Sequence, residues 1–426
     1  MSVTRLASLR LARLRERISW IAGLTALLIA TGSACNAEAP LGGEADASAR
    51  PWTRYADWTQ QEFGKFNTLA DPTRSPPPPK EGAVRKMPRG PGDPAKGMRY
   101  AFDRSRGGSC VACHVMGPKT PEVPGNVGPD LSEEGNAGRD DEWLFNTVYD
   151  ARVYNPQTVM PPWGAHGFYN EEEIRDIVAF LQSLNQPASL HASDDPETRP
   201  VPVEDRDNLD PLVNPGMWAV ENAEALWARP GPTGQACQSC HADPASQLKR
   251  WAASMPRWEK RLGRVLGVEE FVYRHSAATT GDGLLIESEE NIQLAVYLRN
   301  LANDEPIKVD VESPGAMEAA ARGRALMNAK IGQFNFACLD CHGADKGANH
   351  WMRGQFLAEP RGQVDHVPTW RTSRNEVWDI RKRFEWCNVA VRANELPPEA
   401  TEYGDLELYL TSLSNGQKLS VPGIRY

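Results

Sequence analysis

The chain has 426 residues, 40% of them hydrophobic, and a formal net charge of −9. That size suits two to four domains of ordinary length, and the acidic balance argues against nucleic acid as a partner. Its eight cysteines are too few and too regularly placed for a disulfide-rich scaffold.

The first residues carry an arginine-rich segment (Arg5, Arg10, Arg13, Arg15, Arg17) and then an apolar run from Ile18 to Ala30, the layout of a secretory signal over residues 1–34. The run is too short for a permanent membrane span. Export predicts a periplasmic protein. Thr31-Gly32-Ser33-Ala34 before Cys35 resembles a bacterial lipoprotein processing box with an atypical Gly32. Two readings stand: a lipid anchor at Cys35, which would be the one membrane contact, or ordinary cleavage after Ala34. Residues 35–91, with four consecutive prolines at Pro76–Pro79, read as a flexible Pro/Gly-rich arm.

Six cysteines fall in three Cys-x-x-Cys-His motifs: Cys110, Cys113 and His114; Cys237, Cys240 and His241; Cys338, Cys341 and His342. In this motif both thiols add to the haem vinyl groups as thioethers, and the adjacent histidine ligates iron. A disulfide or half a zinc site would explain one copy. Three copies, each followed directly by His, predict three covalently attached haem c groups. Each motif sits in the same plan of a short helix, the motif, a mostly irregular stretch and a closing amphipathic helix. The closing helices are expected from Ile174 to Leu184, Ile292 to Leu301 and Leu406 to Leu413. Asn170 with Glu173 makes a capping-box start for the first, and Ser288 can cap the second. The predicted fold is mainly α, with three cytochrome c-type haem domains in tandem: 92–187, then a linker 188–211 rich in Pro and Asp, then 212–310 and 311–426.

Function then depends on the distal ligands, which tune haem potential and reactivity. For the first haem, Met160 lies in a proline-stiffened loop ending Pro161-Pro162; His166 competes. For the second, His275 is the candidate and Met255 the rival. For the third, Cys387 is the cysteine of the mature domains not used for attachment, and it follows the basic run Arg381-Lys382-Arg383. The alternatives are His350, Met352 or His366 as ligand, with Cys387 an inert thiol beside a solvated charged helix face.

Further segments carry a resemblance. Gly92-Asp93-Pro94-Ala95-Lys96-Gly97, Pro124-Gly125-Asn126-Val127-Gly128-Pro129 and the Met160 loop look like the small SoxX cytochrome of bacterial thiosulfate oxidation. Asn214-Pro215-Gly216-Met217, Ile331-Gly332-Gln333-Phe334-Asn335, Pro368-Thr369-Trp370-Arg371 and Cys387-Asn388-Val389-Ala390-Val391-Arg392 look like dihaem SoxA. The chain thus resembles both subunits of the SoxXA cytochromes fused, over about residues 90–426. The resemblance implies an L-cysteine S-thiosulfotransferase that joins thiosulfate oxidatively to a cysteine of the carrier protein SoxYZ and passes two electrons to a small acceptor cytochrome c. It implies a His342/Cys387 catalytic haem whose cysteine can be a persulfide, with Arg383 and Arg371 as the cations that meet the thiosulfate dianion. In many dihaem relatives the second haem's distal ligand is a cysteine; His275 stands there instead, predicting a His/His pair with His241. Two competing readings share the same motifs: a trihaem electron carrier without catalysis, and a thiosulfate dehydrogenase releasing tetrathionate. The 188–211 linker is expected to hold the two portions together without a tight interface.

Overall fold

Asp93 begins the regular structure: its side chain accepts from the backbone N–H groups of Ala95 and Lys96, and Pro94 occupies the first turn, so α1 runs over Pro94–Phe102. The structure is a computed structural model and describes residues 39–42, 69, 83–106, 108–121, 123–201 and 207–425. The signal segment, Cys35 and most of the arm lie outside the described residues. Further along come α2 (Asp141–Asp150) and α3 (Glu171–Gln182). The capping box of Asn170 with Glu173 is formed at the start of α3, and Ile174, Ile177, Leu181 and Leu184 are all buried.

Helix α1 packs across α3 so closely that a Cβ on Gly97 would lie 2.0 Å from the Asp176 carbonyl oxygen. The same device recurs at the other end of the chain. There α9 (Pro314–Asn328) crosses α12 (Thr401–Ser412), and a Cβ on Gly323 would lie 2.1 Å from the Asp405 carbonyl oxygen. Between them, α4 (Met217–Ala228) packs on α8 (Glu289–Asn300) through the buried Ala219 and Ala223. Ser288 caps α8 by accepting from Asn291 N–H. Small residues at each crossing let the backbones approach within side-chain-free distance, so the repeated plan read from the sequence is a repeated helix crossing.

The stretches between crossings are more regular than expected. They hold α5 (Cys237–Cys240), α6 (Pro244–Ala253), α7 (Val268–Thr279), α10 (Cys338–His342) and α11 (Ile380–Ala390). Helices α7 and α11 escaped the periodicity argument because their buried faces are partly charged: Glu269, Glu270 and Arg274 on one, Arg381 and Glu385 on the other. Short strands add two antiparallel pairs, β1 (Arg257–Glu259) with β2 (Arg264–Leu266) and β3 (Trp351–Met352) with β4 (Gln355–Phe356). A three-stranded sheet has the order β6–β5–β7, in which β5 (Thr369–Arg371) runs antiparallel to β6 (Glu376–Trp378) and parallel to β7 (Gly423–Arg425). Among the described residues no helix is long and apolar enough to cross a membrane.

The expectation of loosely tethered portions is overturned. Phe334 is buried in the core of the first unit, 4.7 Å from the ring of Phe168 and 5.8 Å edge-on to Trp163. His166 and Gln333 make reciprocal bonds: His166 Nδ1 meets the Gln333 carbonyl at 2.6 Å, and Gln333 Nε2 donates to the His166 carbonyl at 2.8 Å. Asn126 N–H donates to the Trp351 carbonyl, Trp351 N–H to Asn126 Oδ1, and Arg353 N–H to the Ala112 carbonyl. The linker itself is stitched in: Arg199 lies 3.8 Å from the Trp351 ring centroid and donates to the carbonyls of Pro124 and Arg353. A fully buried aromatic contributes about 1.5–3 kcal/mol, so Phe334 is a substantial part of what holds this seam.

A second correction concerns the basic run. Arg381 is 1% exposed and carries no solvated face; it donates to Glu407 at 2.8 Å, Glu270 at 2.9 Å and the Pro398 carbonyl at 2.8 Å. Burial opposes its charge, but Glu407 and Glu270 outweigh that and hold its pKa above the ordinary value. Glu269 on the same side is pushed up, first by burial and then by Asp379 and Glu407.

Two outcomes are expected from this packing. Phe334→Ala should cost about 3–5 kcal/mol in denaturant unfolding and should separate the first unit's transition from the rest in calorimetry. Because folded Glu269 holds its proton more tightly than the unfolded chain does, the unfolded state deprotonates first as pH rises, and its contribution to stability declines above the ordinary carboxylate range. Glu269→Gln should therefore flatten the pH–stability curve on that side, measured as the denaturation midpoint against pH.

Candidate functional site

The first motif forms a short 3₁₀ turn, Cys110–Ala112, and the Pro124–Pro129 segment folds back over it. Gly125 N–H donates to the Val111 carbonyl and Gly128 N–H to the Cys113 carbonyl. His114 Nδ1 lies 2.8 Å from the Pro129 carbonyl, so the ring is held by one nitrogen with Nε2 left for a metal. Burial lowers the His114 pKa, favouring the neutral imidazole that ligation needs. The glycine at 128 is sterically required: a Cβ there would lie 2.2 Å from His114 Cε1.

These residues line a cavity of about 1070 Å³ that Met160, Pro161 and Trp163 also line. The volume, the apolar walls, the paired thiols, the histidine and a methionine in one cavity fit a haem c. Met160 N–H donates to Thr158 Oγ1, and Lys330 from the far portion donates to the Thr158 carbonyl, so the loop is anchored across the seam. His166, the rival ligand, is not among the residues that line this cavity; its Nδ1 meets the Gln333 carbonyl at the seam. Phe334, Phe336, Arg353 and Trp386 complete the cavity from the other side of the seam. The sequence reading missed Gly128, Lys330 and Arg353; of these only Gly128 lay in a motif already singled out.

At the second motif, His241 and His275 face each other with ring centroids 6.1 Å apart. Two imidazoles bonded to one metal ion at about 2.0–2.1 Å each leave their ring centres roughly that far apart, so the pair fits an iron between them; the expected pair of free thiols is not found, since Cys240 is disulfide-bonded and Cys237 is the free cysteine of this motif. Phe271, one turn earlier on α7, stacks on His275 at 5.3 Å and 19°. Burial lowers the pKa of both histidines. The rival Met255 is fully buried in the apolar core beside Leu266 and Phe271.

At the third motif, α10 carries Cys338, Cys341 and His342, and His342 Nδ1 lies 2.7 Å from the Ala358 carbonyl. Burial pushes the Cys338 and Cys341 thiols up to about 12, and Cys338 packs on the same core as Ile380 and Phe384 of α11, the helix that brings Cys387 within electrostatic reach of both thiols. Cys341 also feels Cys113, so the first and third motifs adjoin across the seam. Arg383 precedes Cys387 by one turn of α11, on the same face. It is felt electrostatically at His342 and lies 4.4 Å from the Trp386 ring, with a buried Nη1 that has no hydrogen-bond partner. Arg371 ends β5, 5.7 Å from the Trp378 ring centroid. Of the rival ligands, His366 is engaged on both nitrogens, by Asp365 at 2.6 Å and Arg425 at 3.1 Å. His350 Nδ1 meets the Ala348 carbonyl at 2.9 Å, and Met352 lines the first cavity.

Helices folded around Cys-x-x-Cys-His motifs, with axial histidines held by backbone carbonyls, define a c-type cytochrome. Two family matches agree: residues 98–181 with "Cytochrome C oxidase, cbb3-type, subunit III" and residues 222–307 with "SoxA/TsdA, cytochrome c domain". The chain is 28% identical over 218 residues to the L-cysteine S-thiosulfotransferase subunit SoxA of Pseudaminobacter salicylatoxidans, covering 51% of this chain and 75% of that protein. It is 29% identical over 209 residues to the same subunit of Allochromatium vinosum, covering 49% and 72%. The SoxXA crystal structure from P. pantotrophus matches at TM-score 0.47 and 24% identity, covering 50% of this chain and 80% of that one. Over about half of its length the chain is similar to the SoxA subunits of this enzyme.

Gly128→Ala should drive the His114 ring from its seat. If a haem c is held here between His114 and Met160, the expected result is loss of a methionine-to-iron charge-transfer band and a shift of that haem toward high spin in the visible spectrum.

Proposed function

We propose that this cytochrome conjugates thiosulfate oxidatively to a cysteine of a SoxYZ-type carrier, using three haem c groups with His114/Met160, His241/His275 and His342/Cys387 as axial pairs. The observation that carries the reading is the placement of Cys387 beside the Cys338–His342 motif with Arg383 one turn away on the same helix face. The relatives named L-cysteine S-thiosulfotransferase subunit SoxA support the activity. Export to the periplasm, with or without a lipid at Cys35, belongs to the same proposal and follows from the sequence layout.

In the reaction, a sulfur–sulfur bond forms between the terminal sulfur of thiosulfate and the carrier's cysteine sulfur. The carrier's S–H bond breaks, its proton leaves, and two electrons pass to a small acceptor cytochrome c. Haem c, when bound, supplies iron that accepts and passes single electrons. Arg383 supplies the anion site: its unpartnered Nη1 and planar fork can donate to the sulfonate oxygens, and a guanidinium keeps its charge when desolvated. Trp386 stacks under that guanidinium and limits its rotation. Cys387 would supply a sulfur ligand to the iron of a haem c held by Cys338, Cys341 and His342. Arg371, at the end of β5, is a second cation for the approaching dianion.

A thiosulfate dehydrogenase releasing tetrathionate is the second reading, favoured by the joint SoxA/TsdA domain match. Product analysis separates the two: full-rate tetrathionate formation without the carrier would replace the proposal. Arg383→Ala should lower kcat/KM for thiosulfate by about 10- to 150-fold, the equivalent of about 1.5–3 kcal/mol for a hydrogen bond to a charged group, with Arg383→Lys recovering part of the loss. Cys387→Ala should abolish carrier-dependent turnover; persistence at the original rate would leave a trihaem electron carrier as the better description.

A further inference from the structure

The described residues of the N-terminal arm include a short island, residues 39–42, and it packs on the second unit rather than on the first unit that follows it in sequence. Gly42 N–H donates to the Arg274 carbonyl at 2.9 Å, and Arg261 Nη1 donates to the Ala39 carbonyl at 2.7 Å. Ala39 and Leu41 pack against the core that holds Met255, Leu266 and Phe271. A Cβ on Gly42 would meet the Arg274 carbonyl oxygen at 3.3 Å and Ala277 Cβ at 3.4 Å, so the backbone lies flat on α7. Between these anchors, the Pro40 carbonyl lies 3.1 Å from His275 Nδ1.

We infer that residues 39–42 form a strap whose Pro40 carbonyl holds and tunes the distal imidazole of the second haem. This rests on His275 being that ligand, as proposed above. The arrangement matches the one at the other motifs, where the Pro129 and Ala358 carbonyls meet Nδ1 of His114 and His342. The difference is that the carbonyl here comes from a segment far away in sequence, held by two anchors of its own. A carbonyl accepting from Nδ1–H fixes the tautomer, orients the ring and raises the basicity of the nitrogen on the metal. A more basic ligand stabilises oxidised iron, so the strap lowers the second haem's potential. Phe271 stacks on one side of the ring and limits its tilt, but it cannot accept this proton.

The test uses the full-length haem-loaded protein and two variants that loosen the strap from opposite ends: Gly42→Val, whose branched side chain collides with α7, and Arg261→Ala, which releases Ala39. Potentiometric titration and electron paramagnetic resonance are read for each haem. His275→Ala, made separately, identifies the second haem's signal by turning it high-spin. Both strap variants should raise that haem's midpoint potential and alter its low-spin signal while leaving the other two haems unchanged, with Gly42→Ala giving a smaller shift. Should Gly42→Val fail to assemble, Arg261→Ala carries the same readout. If His275→Ala changes no haem, the ligand assignment fails and the inference with it. If His275→Ala acts but the strap variants leave potential and signal unmoved, the ligand assignment survives and the strap is overturned.

Discussion

An imidazole that is to bind a metal must present one bare nitrogen in a fixed direction, and a backbone carbonyl on the other nitrogen is how this protein meets that requirement. The Pro129 carbonyl does it for His114 and the Ala358 carbonyl for His342. Both carbonyls lie on loops that return to the motif after leaving it, so the irregular segments serve as the outer wall of each axial ligand. Burial of these rings keeps them neutral, and the carbonyl then selects the tautomer. Without that bond the motif would still carry its thiols, but the axial direction would be free to wander.

The seam between the first unit and the rest is the second constraint. The Ile331–Asn335 segment turns tightly enough to place Asn335 at φ 55° and Gly332 at φ 70°, and a Cβ on Gly332 would lie 2.1 Å from the Val391 carbonyl oxygen. That turn presents Phe334 to one portion while its neighbours stay with the other. The segment after Cys387 joins it, since Arg392 donates to Gln333 Oε1 at 2.8 Å and to the Arg106 carbonyl. Two portions joined covalently and also packed together do not separate on dilution, as two free subunits would.

Much of the helical frame was legible from sequence. Amphipathic stripes and capping residues mark α3 and α8, because their apolar faces meet apolar partners. Helices α7 and α11 were not legible as helices: residues such as Glu270 and Arg381 are buried against each other, and a charge neutralised by its partner looks like a surface residue in one dimension. The attachment motifs, Met160, His275 and Cys387 could be singled out because ligand chemistry restricts residue type. Lys330, Arg353 and Pro40 could not, since they reach their places only through contacts between distant segments, and a backbone carbonyl leaves no mark on residue identity.

The pair between Arg381 and Glu270 joins the two helices that carry the proposed distal ligands of the second and third motifs, α7 with His275 and α11 with Cys387. With Glu407 on α12 as the third member, the guanidinium acts as a fixed joint between them. A rotation of α11 large enough to lift Cys387 away would have to break that joint or carry α7 with it. Small adjustments of a ring or a sulfur at either site stay local, whereas a movement of the helices themselves has to be shared.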